Sequence, residues 1–199
     1  ELAEKLAEIM PAKALPRTNY EVSGTEAAEA AVHLALTHTK RRFIITFSSS
    51  YHGMGLGTKV LSGLDGKYST YLEGWGGGVI KAPYPHSERI PAGMDEEQYT
   101  EYCLWYLDNH ITSCIADRKN IAGILVEPGL AEGGGRSGTP EECLAASQGP
   151  VDVGTKVQEV QTCIYGCGFF VCCLCLGCPG TMLQSLSSSP WRWFMAHDS

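Results

Sequence analysis

Basic residues are in short supply in this chain. Fifteen Lys and Arg stand against 22 Asp and Glu, a net charge of -7 over 199 residues. Nucleic-acid binding rests on phosphate contacts from a basic face, so no nucleic-acid partner is expected. An anionic small molecule is not excluded, because a local pocket can hold one whatever the total charge. A membrane-spanning run is also lacking. The apolar stretch Ile164 to Leu176 falls short of the ~20 residues that cross a bilayer as a helix, so no membrane partner is expected. The N-terminus, Glu1-Leu2-Ala3-Glu4-Lys5-Leu6-Ala7-Glu8-Ile9-Met10, has charges set between apolar residues at helical spacing, unlike a signal-peptide core. With no initiator Met, a processed or partial protein of the cytoplasm is the expectation.

Cysteine is sparse until late in the chain. Cys103, Cys114 and Cys143 are scattered, whereas six of the nine lie between Cys163 and Cys178. That frequency is too low for a disulfide scaffold, and the earlier part reads as a protein of a reducing compartment. A zinc site wants two close pairs. Cys175-Leu176-Gly177-Cys178 is one such pair, with Cys172 and Cys173 adjacent and Cys163 and Cys167 set apart, so no metal is expected.

What is present is a core-forming composition, 44% apolar and 19% charged, which argues for a folded domain. Ser23-Gly24-Thr25-Glu26 has the S-x-x-E form of a capping box, and the alanine-rich run Ala27 to Thr39 favours helix. Lys40-Arg41-Arg42 suits the negative end of that helix. Phe43 to Phe47 is β-branched and aromatic, a strand pattern. Asp95 to Asn109 is again helical, with Tyr99, Tyr102, Cys103, Tyr106 and Leu107 as its apolar stripe. Ile121 to Val126 is a continuous apolar run, as in a strand buried on both faces. Helix-strand-helix-strand order points to an α/β fold with a mostly parallel sheet. Gly74-Trp75-Gly76-Gly77-Gly78 and Gly133-Gly134-Gly135 mark loops, the second at a strand's carboxyl end, where such sheets bind ligands.

After about Ser147 this pattern stops. No charged residue lies between Glu159 and Arg192, and neither a helical nor an alternating period is visible. An irregular tail, poorly packed on the α/β part, prone to aggregate and cut first by protease, is expected there. The sheet it leaves behind should have an open edge.

Three places carry chemistry. Ser23-Gly24-Thr25 opens a helix, whose unpaired N–H groups and partial positive charge can cradle a phosphate; the plain alternative is an N-cap. Tyr51-His52-Gly53 follows the Phe43–Phe47 strand. There an aromatic can stack on a planar ring and the His can orient it, or both can be ordinary loop residues. Glu127-Pro128 ends the Ile121–Val126 strand and Glu132 follows; a carboxylate there can pair with an ammonium or an arginine, or be solvated.

Together these segments resemble the class III aminotransferases of the ornithine/4-aminobutyrate type, pyridoxal-phosphate (PLP) enzymes of fold type I. Ser23 to Ala31 matches their S-G-T-E-A-x-E-A-A, Tyr51-His52-Gly53 their Y/F-H-G, and Glu127 to Gly134 their E-P-x-x-x-E-G-G. The resemblance covers residues 1 to about 140. It implies that residues 1–147 are part of the large PLP-binding domain, and that the Cys-rich tail 148–199 is not a native domain. Ser23, Gly24 and Thr25 would then bind the PLP phosphate, and Tyr51 would stack on the ring with His52 beside it. Glu132 would lie near the substrate carboxylate and its arginine partner. Gln158-Glu159-Val160-Gln161 stands where the family has D-E-V-Q, placing Gln158 at the pyridinium nitrogen and Gln161 near the ring hydroxyl. The implied reaction moves an amino group from an amine or amino acid to a 2-oxo acid, with PLP as electron sink and a Schiff-base lysine as nucleophile. A homodimer is implied for the full-length parent.

The chain also departs from that pattern. Val22 stands where a small polar residue is usual, and Met54-Gly55 replaces the usual R-T after H-G. Gln158, a neutral amide, stands for the Asp that keeps the pyridinium protonated. No lysine follows Lys156, so no catalytic residue is assigned. The expectation is an aminotransferase by lineage whose present stretch is inactive. The alternatives are a PLP- or phosphate-binding or dimerisation fragment, and a non-functional truncated product.

Overall fold

The computed structural model describes residues 1–9, 19–64, 75–127, 129–133, 136–137, 161–166 and 169–174. The chain divides into two units, Glu21–Gly177 and a second made of Glu1–Tyr20 and Cys178–Ser199. In the second the described element is helix α1 (Leu2–Ile9), where the Glu1 ammonium lies 3.0 Å from Glu4 Oε2. Gln158 lies outside the described residues.

In the larger unit, α2 (Gly24–Thr39) starts at the N-cap Ser23 and ends at Lys40, which takes a left-handed conformation with φ 58°. Its buried face is Ala28, Ala31 and Ala35, a stripe of small side chains that lets the helix lie close to the sheet. The strands are β1 (Phe43–Phe47), β2 (Val79–Ala82) and β3 (Ile121–Val126), with β1 parallel to both of the others. Between β1 and β2 comes the short helix α3 (Leu56–Leu61), and between β2 and β3 comes α4 (Glu96–Trp105). Neither α3 nor β2 is marked by periodicity in the sequence, since each is too short to display a full period.

Two apolar clusters sandwich the sheet. Ile44, Leu61, Ala122 and Leu125 pack with the α2 alanines on one face. Ile45, Phe47, Ile124 and Val126 pack with Leu107 and Ile111 on the other. In β3 the alternation of faces is interrupted, because Phe43 pairs with Ile121 but Ile44 with Gly123. The extra residue is a bulge that resets which side chains face each layer.

The second helix extends beyond its expected end. Asp95 caps α4 with a full capping box: Asp95 Oδ1 accepts from Gln98 N at 2.8 Å, and Gln98 Oε1 accepts from Asp95 N at 3.1 Å. After Trp105 the helix continues in π geometry from Tyr106 to Ile115. The expected stripe is corrected accordingly. Tyr99, Cys103 and Leu107 are buried, but Tyr102 and Trp105 form an exposed stacked pair, 6.1 Å between rings. Tyr102 and Trp105 precede the wider turns and lie on the flank of α4 away from buried Tyr99 and Cys103, so the aromatic run is broader than the face that packs.

Two segments of the tail depart from the irregular course expected of it, and the rest of it lies outside the described residues. Segments β6 (Gln161–Gly166) and β7 (Phe169–Leu174) are strands, and β7 pairs antiparallel with β3, giving the order β2-β1-β3-β7-β6. A small ladder joins β4 (Gly129–Leu130) to β5 (Arg136–Ser137). The β6 and β7 sequences are rich in Cys, Ile, Val and Phe without alternation, so they read as structureless although continuous apolar strands share that property. Strand β7 covers the β3 edge, so among the described residues the sheet ends in β2 and β6. Among the described residues no helix is long and apolar enough to cross a membrane.

Candidate functional site

Because β1, β2 and β3 are parallel, their carboxyl ends share one edge of the sheet, and α2 begins there. Ser23 caps α2 in extended conformation, its Oγ accepting the Glu26 N–H at 3.2 Å. That hydroxyl also donates to Glu26 Oε2 at 3.4 Å, so Ser23 is occupied within the helix turn itself. The Gly24 and Thr25 N–H groups precede the first acceptor the helix can supply and point out of its end. A Cβ on Gly24 would meet nothing within 4 Å, so the space beside this helix end is open.

The Tyr51–Gly55 loop packs against that turn. Thr25 Oγ1 accepts the Met54 N–H at 3.4 Å and keeps its own hydrogen for another partner. Gly53 has φ +127°, and a Cβ there would sit 2.5 Å from Thr25 Oγ1. Glu29 Oε1, one turn further along α2, accepts the Thr58 N–H at 3.3 Å and fixes the start of α3. The structure thus brings Gly24, Thr25, Tyr51 and His52 to one place from two separate motifs.

Each loop at this edge is tied to the next. Glu127, at the end of β3, is buried, and its Oε2 accepts the Tyr51 N–H at 2.8 Å while Oε1 accepts the Ala131 N–H at 3.0 Å. Burial pushes this carboxyl above the usual carboxylate range; the two amide bonds oppose that, and the charge of Glu132 adds to it. Both oxygens are therefore taken up by backbone, leaving the exposed Glu132 as the carboxylate of this segment that can meet a ligand. Tyr84 donates from its hydroxyl to Glu127 O at 3.1 Å. His86 Nδ1 accepts the Glu88 N–H at 3.2 Å, which leaves Nε2 facing Gly133 O at 3.5 Å.

Beneath the loop lies a polar cluster that sequence reasoning missed. Lys81 in β2 is largely at the surface, but its ammonium turns inward, donating to Thr46 Oγ1 at 2.8 Å, to Ser62 O at 2.9 Å and to Leu61 O. It thereby caps the carbonyl end of α3. Desolvation pulls it down to about 7, against the pull of its three acceptors, which favour the charged form. A lysine inside the apolar strand Val79-Ile80-Lys81-Ala82 was the available signal. Ser62 Oγ accepts the His52 N–H at 2.9 Å. The His52 ring is 3% exposed and, among the described residues, neither of its nitrogens has a hydrogen-bond partner. Burial, and secondarily the Lys81 charge, lowers it to about 3, so the imidazole is neutral.

A neutral buried histidine has a consequence for stability. From pH 6.5 down toward about 3 the unfolded chain takes up a proton that folded His52 does not. Its contribution is complete above 6.5 and is lost as pH falls, with a slope limited to ~1.4 kcal/mol per pH unit. His52→Leu, similar in volume and without polar atoms, is expected to flatten the acid side of a urea-stability profile relative to wild type. The raised Glu127 carboxyl gives a slope of opposite sign, but it is common to both proteins and cancels in the difference. Parallel profiles for the two proteins would show that His52 takes up its proton when folded.

Gln161 opens β6. Its cross-strand partner Leu174 pairs with Ile124, so its backbone lies level with the middle of β3 and away from the carboxyl edge.

The sequence profile of the family described as aminotransferase class-III matches residues 1–148. A probable 4-aminobutyrate aminotransferase of Bacillus subtilis is 32% identical over 137 residues, 67% of this chain and 30% of its own length. A leucine/methionine racemase of Thermococcus litoralis is 33% identical over 128 residues, 64% of this chain and 28% of its own. Among solved structures, an omega-aminotransferase from Paracoccus denitrificans superposes with a TM-score of 0.61 at 26% identity, covering 73% of this chain and 33% of that one. The chain thus spans about a third or less of these relatives. From the profile match over residues 1–148, the chain belongs to the class-III aminotransferase family, with an α/β fold shared with fold type I transaminases.

Proposed function

We propose that this stretch of chain forms the phosphate- and ring-holding part of a PLP-dependent aminotransferase, which moves an amino group from an amine or amino acid to a 2-oxo acid. The observation that carries the proposal is the open N-terminus of α2, with space beside Gly24 and the Thr25 hydroxyl set against the Tyr51–Gly55 loop. This fits a phosphate monoester, whose charge is matched by outward N–H groups and the helix dipole. The bound group would supply an electron sink for the reacting carbon.

The chain's own residues divide the remaining work. Gly24 and Thr25 bind the phosphate, and Ser23 holds the helix end rigid through Glu26. Tyr51 meets the ring face, its backbone fixed by Glu127. Neutral His52 fills the space below without adding a competing charge. Glu132 stands exposed on the substrate side, where it can pair with a cation. Gln158 and Gln161 are kept on the resemblance alone, as are a homodimeric full-length parent and a cytoplasmic location. Since no lysine follows Lys156, binding rather than turnover is the property to measure in this chain.

PLP is expected to bind weakly, and borohydride treatment in its presence is expected to leave the lysines unlabelled. Thr25→Ala should weaken PLP binding about tenfold or more, the worth of one hydrogen bond to a charged group. Glu26→Ala should instead cost helix stability, on the order of 1 kcal/mol. Fluorescence titration decides: equal affinities for wild type and Thr25→Ala would remove Thr25 from the site, and stoichiometric labelling of one lysine would reveal a misplaced nucleophile.

A further inference from the structure

One buried group at this edge touches neither proposed ligand. Glu127 is 2% exposed and has no cation at ion-pair distance among the described residues. Its two oxygens reach opposite halves of the site. Tyr51 N, at 2.8 Å, belongs to the loop on the cofactor side, whereas Ala131 N, at 3.0 Å, immediately precedes Glu132 on the substrate side. The carboxylate is a rigid plane, so bonding both amides fixes the distance between the two loops. Hydrogen bonds to a charged acceptor are roughly twice as strong as neutral ones. The grip on both loops therefore depends on the charge that Glu127 carries.

We propose that Glu127 is a positioning residue that clasps the Tyr51 loop to the Glu132 loop, so that a change of charge on the substrate side is felt at the ring-contacting residue. This inference rests on the cofactor reading given above. Tyr51 and His52 follow β1, and Lys81, Tyr84, His86 and Arg89 lie on or after β2. Burial has the largest influence on the Glu127 carboxyl and the two amide bonds oppose it; among the charged neighbours, Glu132 adds a smaller upward push. Neutralising Glu132, by its cationic partner or a substrate ammonium, would favour ionised Glu127 and tighten both bonds.

The test reads backbone amides in the full chain by NMR, without ligand. The amide proton shifts of Tyr51 and Ala131 are expected to titrate together, with one midpoint above the usual carboxylate range. Glu127→Gln should abolish that titration. Its carboxamide keeps one acceptor oxygen but turns an NH2 toward the other amide, so one of the two should lose hydrogen-exchange protection. Glu132→Gln, at an exposed position, should keep the common titration and lower its midpoint, which a merely structural Glu127 would not show. That variant also keeps the test intact if Glu127→Gln fails to fold. Separate midpoints for the two amides, or a midpoint that Glu132→Gln does not move, would overturn the clasp. PLP affinity should fall about tenfold in Glu127→Gln; unchanged affinity counts against the clasp as well. A wild type that shows the common titration but takes up no PLP overturns the functional reading and the role given to Glu127 within it. One that takes up PLP without the common titration overturns the clasp alone.

Discussion

Gly63→Ala is expected to leave little folded protein. A Cβ at this position would lie 2.0 Å from Phe47 O and 2.8 Å from Ser48 Cα, both backbone atoms that no rotamer change can move aside. The glycine cannot retreat either. Its N–H donates to Ser50 O at 2.8 Å, and its carbonyl accepts the Ser49 N–H at 2.7 Å. Those bonds shape the turn between β1 and Tyr51, in which buried Ser49 has φ 66°. Relief would mean breaking both bonds or shifting the end of β1. Overpacking of this kind costs about 1–3 kcal/mol where side chains can yield and more where only backbone can. A loss of about 4 kcal/mol is a large share of the 5–15 kcal/mol that holds a typical domain together. Urea unfolding followed by tryptophan fluorescence checks this, with Gly77→Ala as control, since a Cβ there meets nothing within 4 Å. A Gly63→Ala midpoint close to that of the control would show the turn to be far more pliable than its two bonds suggest.

Gly53→Ala is expected to abolish PLP binding while costing less stability. The residue has φ +127°, a conformation that side-chain-bearing residues rarely adopt, and its Cβ would lie 2.5 Å from Thr25 Oγ1 and 2.9 Å from Thr58 Oγ1. Strain of this kind costs about 1–3 kcal/mol. The two closest atoms are hydroxyl oxygens, which a side-chain rotation can move; Thr25 Cα at 3.0 Å needs only a small shift, so the chain should still fold. The rotation that relieves the clash, however, turns the Thr25 hydroxyl away from the open helix end, and the loop carrying Tyr51 shifts with it. Affinity for PLP should therefore drop by more than in Thr25→Ala, because two contacts are disturbed at once. Titration of both variants beside circular dichroism tests this. Binding that survives in a folded Gly53→Ala would mean that the phosphate does not depend on the contact between this loop and α2.

The chain order of residues determined a good part of this molecule. The S-x-x-E box and alanine run specify α2, and β-branched and apolar runs specify β1 and β3, because each is a local preference summed over a full period. The order of the parallel strands brings the three motifs to one edge of the sheet, which is where the proposal sets Gly24, Thr25, Tyr51 and Glu132. Other features were decided only in the fold. Glu127 read only as part of the E-P-x-x-x-E-G-G motif, and becomes a holder of two backbone amides because a loop 76 residues earlier closes over it. His52 has ordinary local surroundings in sequence, and Lys81 shows there only as a charge within an apolar strand. Their altered protonation comes from burial, which depends on what packs around them and not on their neighbours in the chain. The hairpin of β6 and β7 was invisible for a related reason. A run of apolar residues without alternation does not show which strand it will pair with, so the place of β7 in the sheet is specified by the β3 edge it joins.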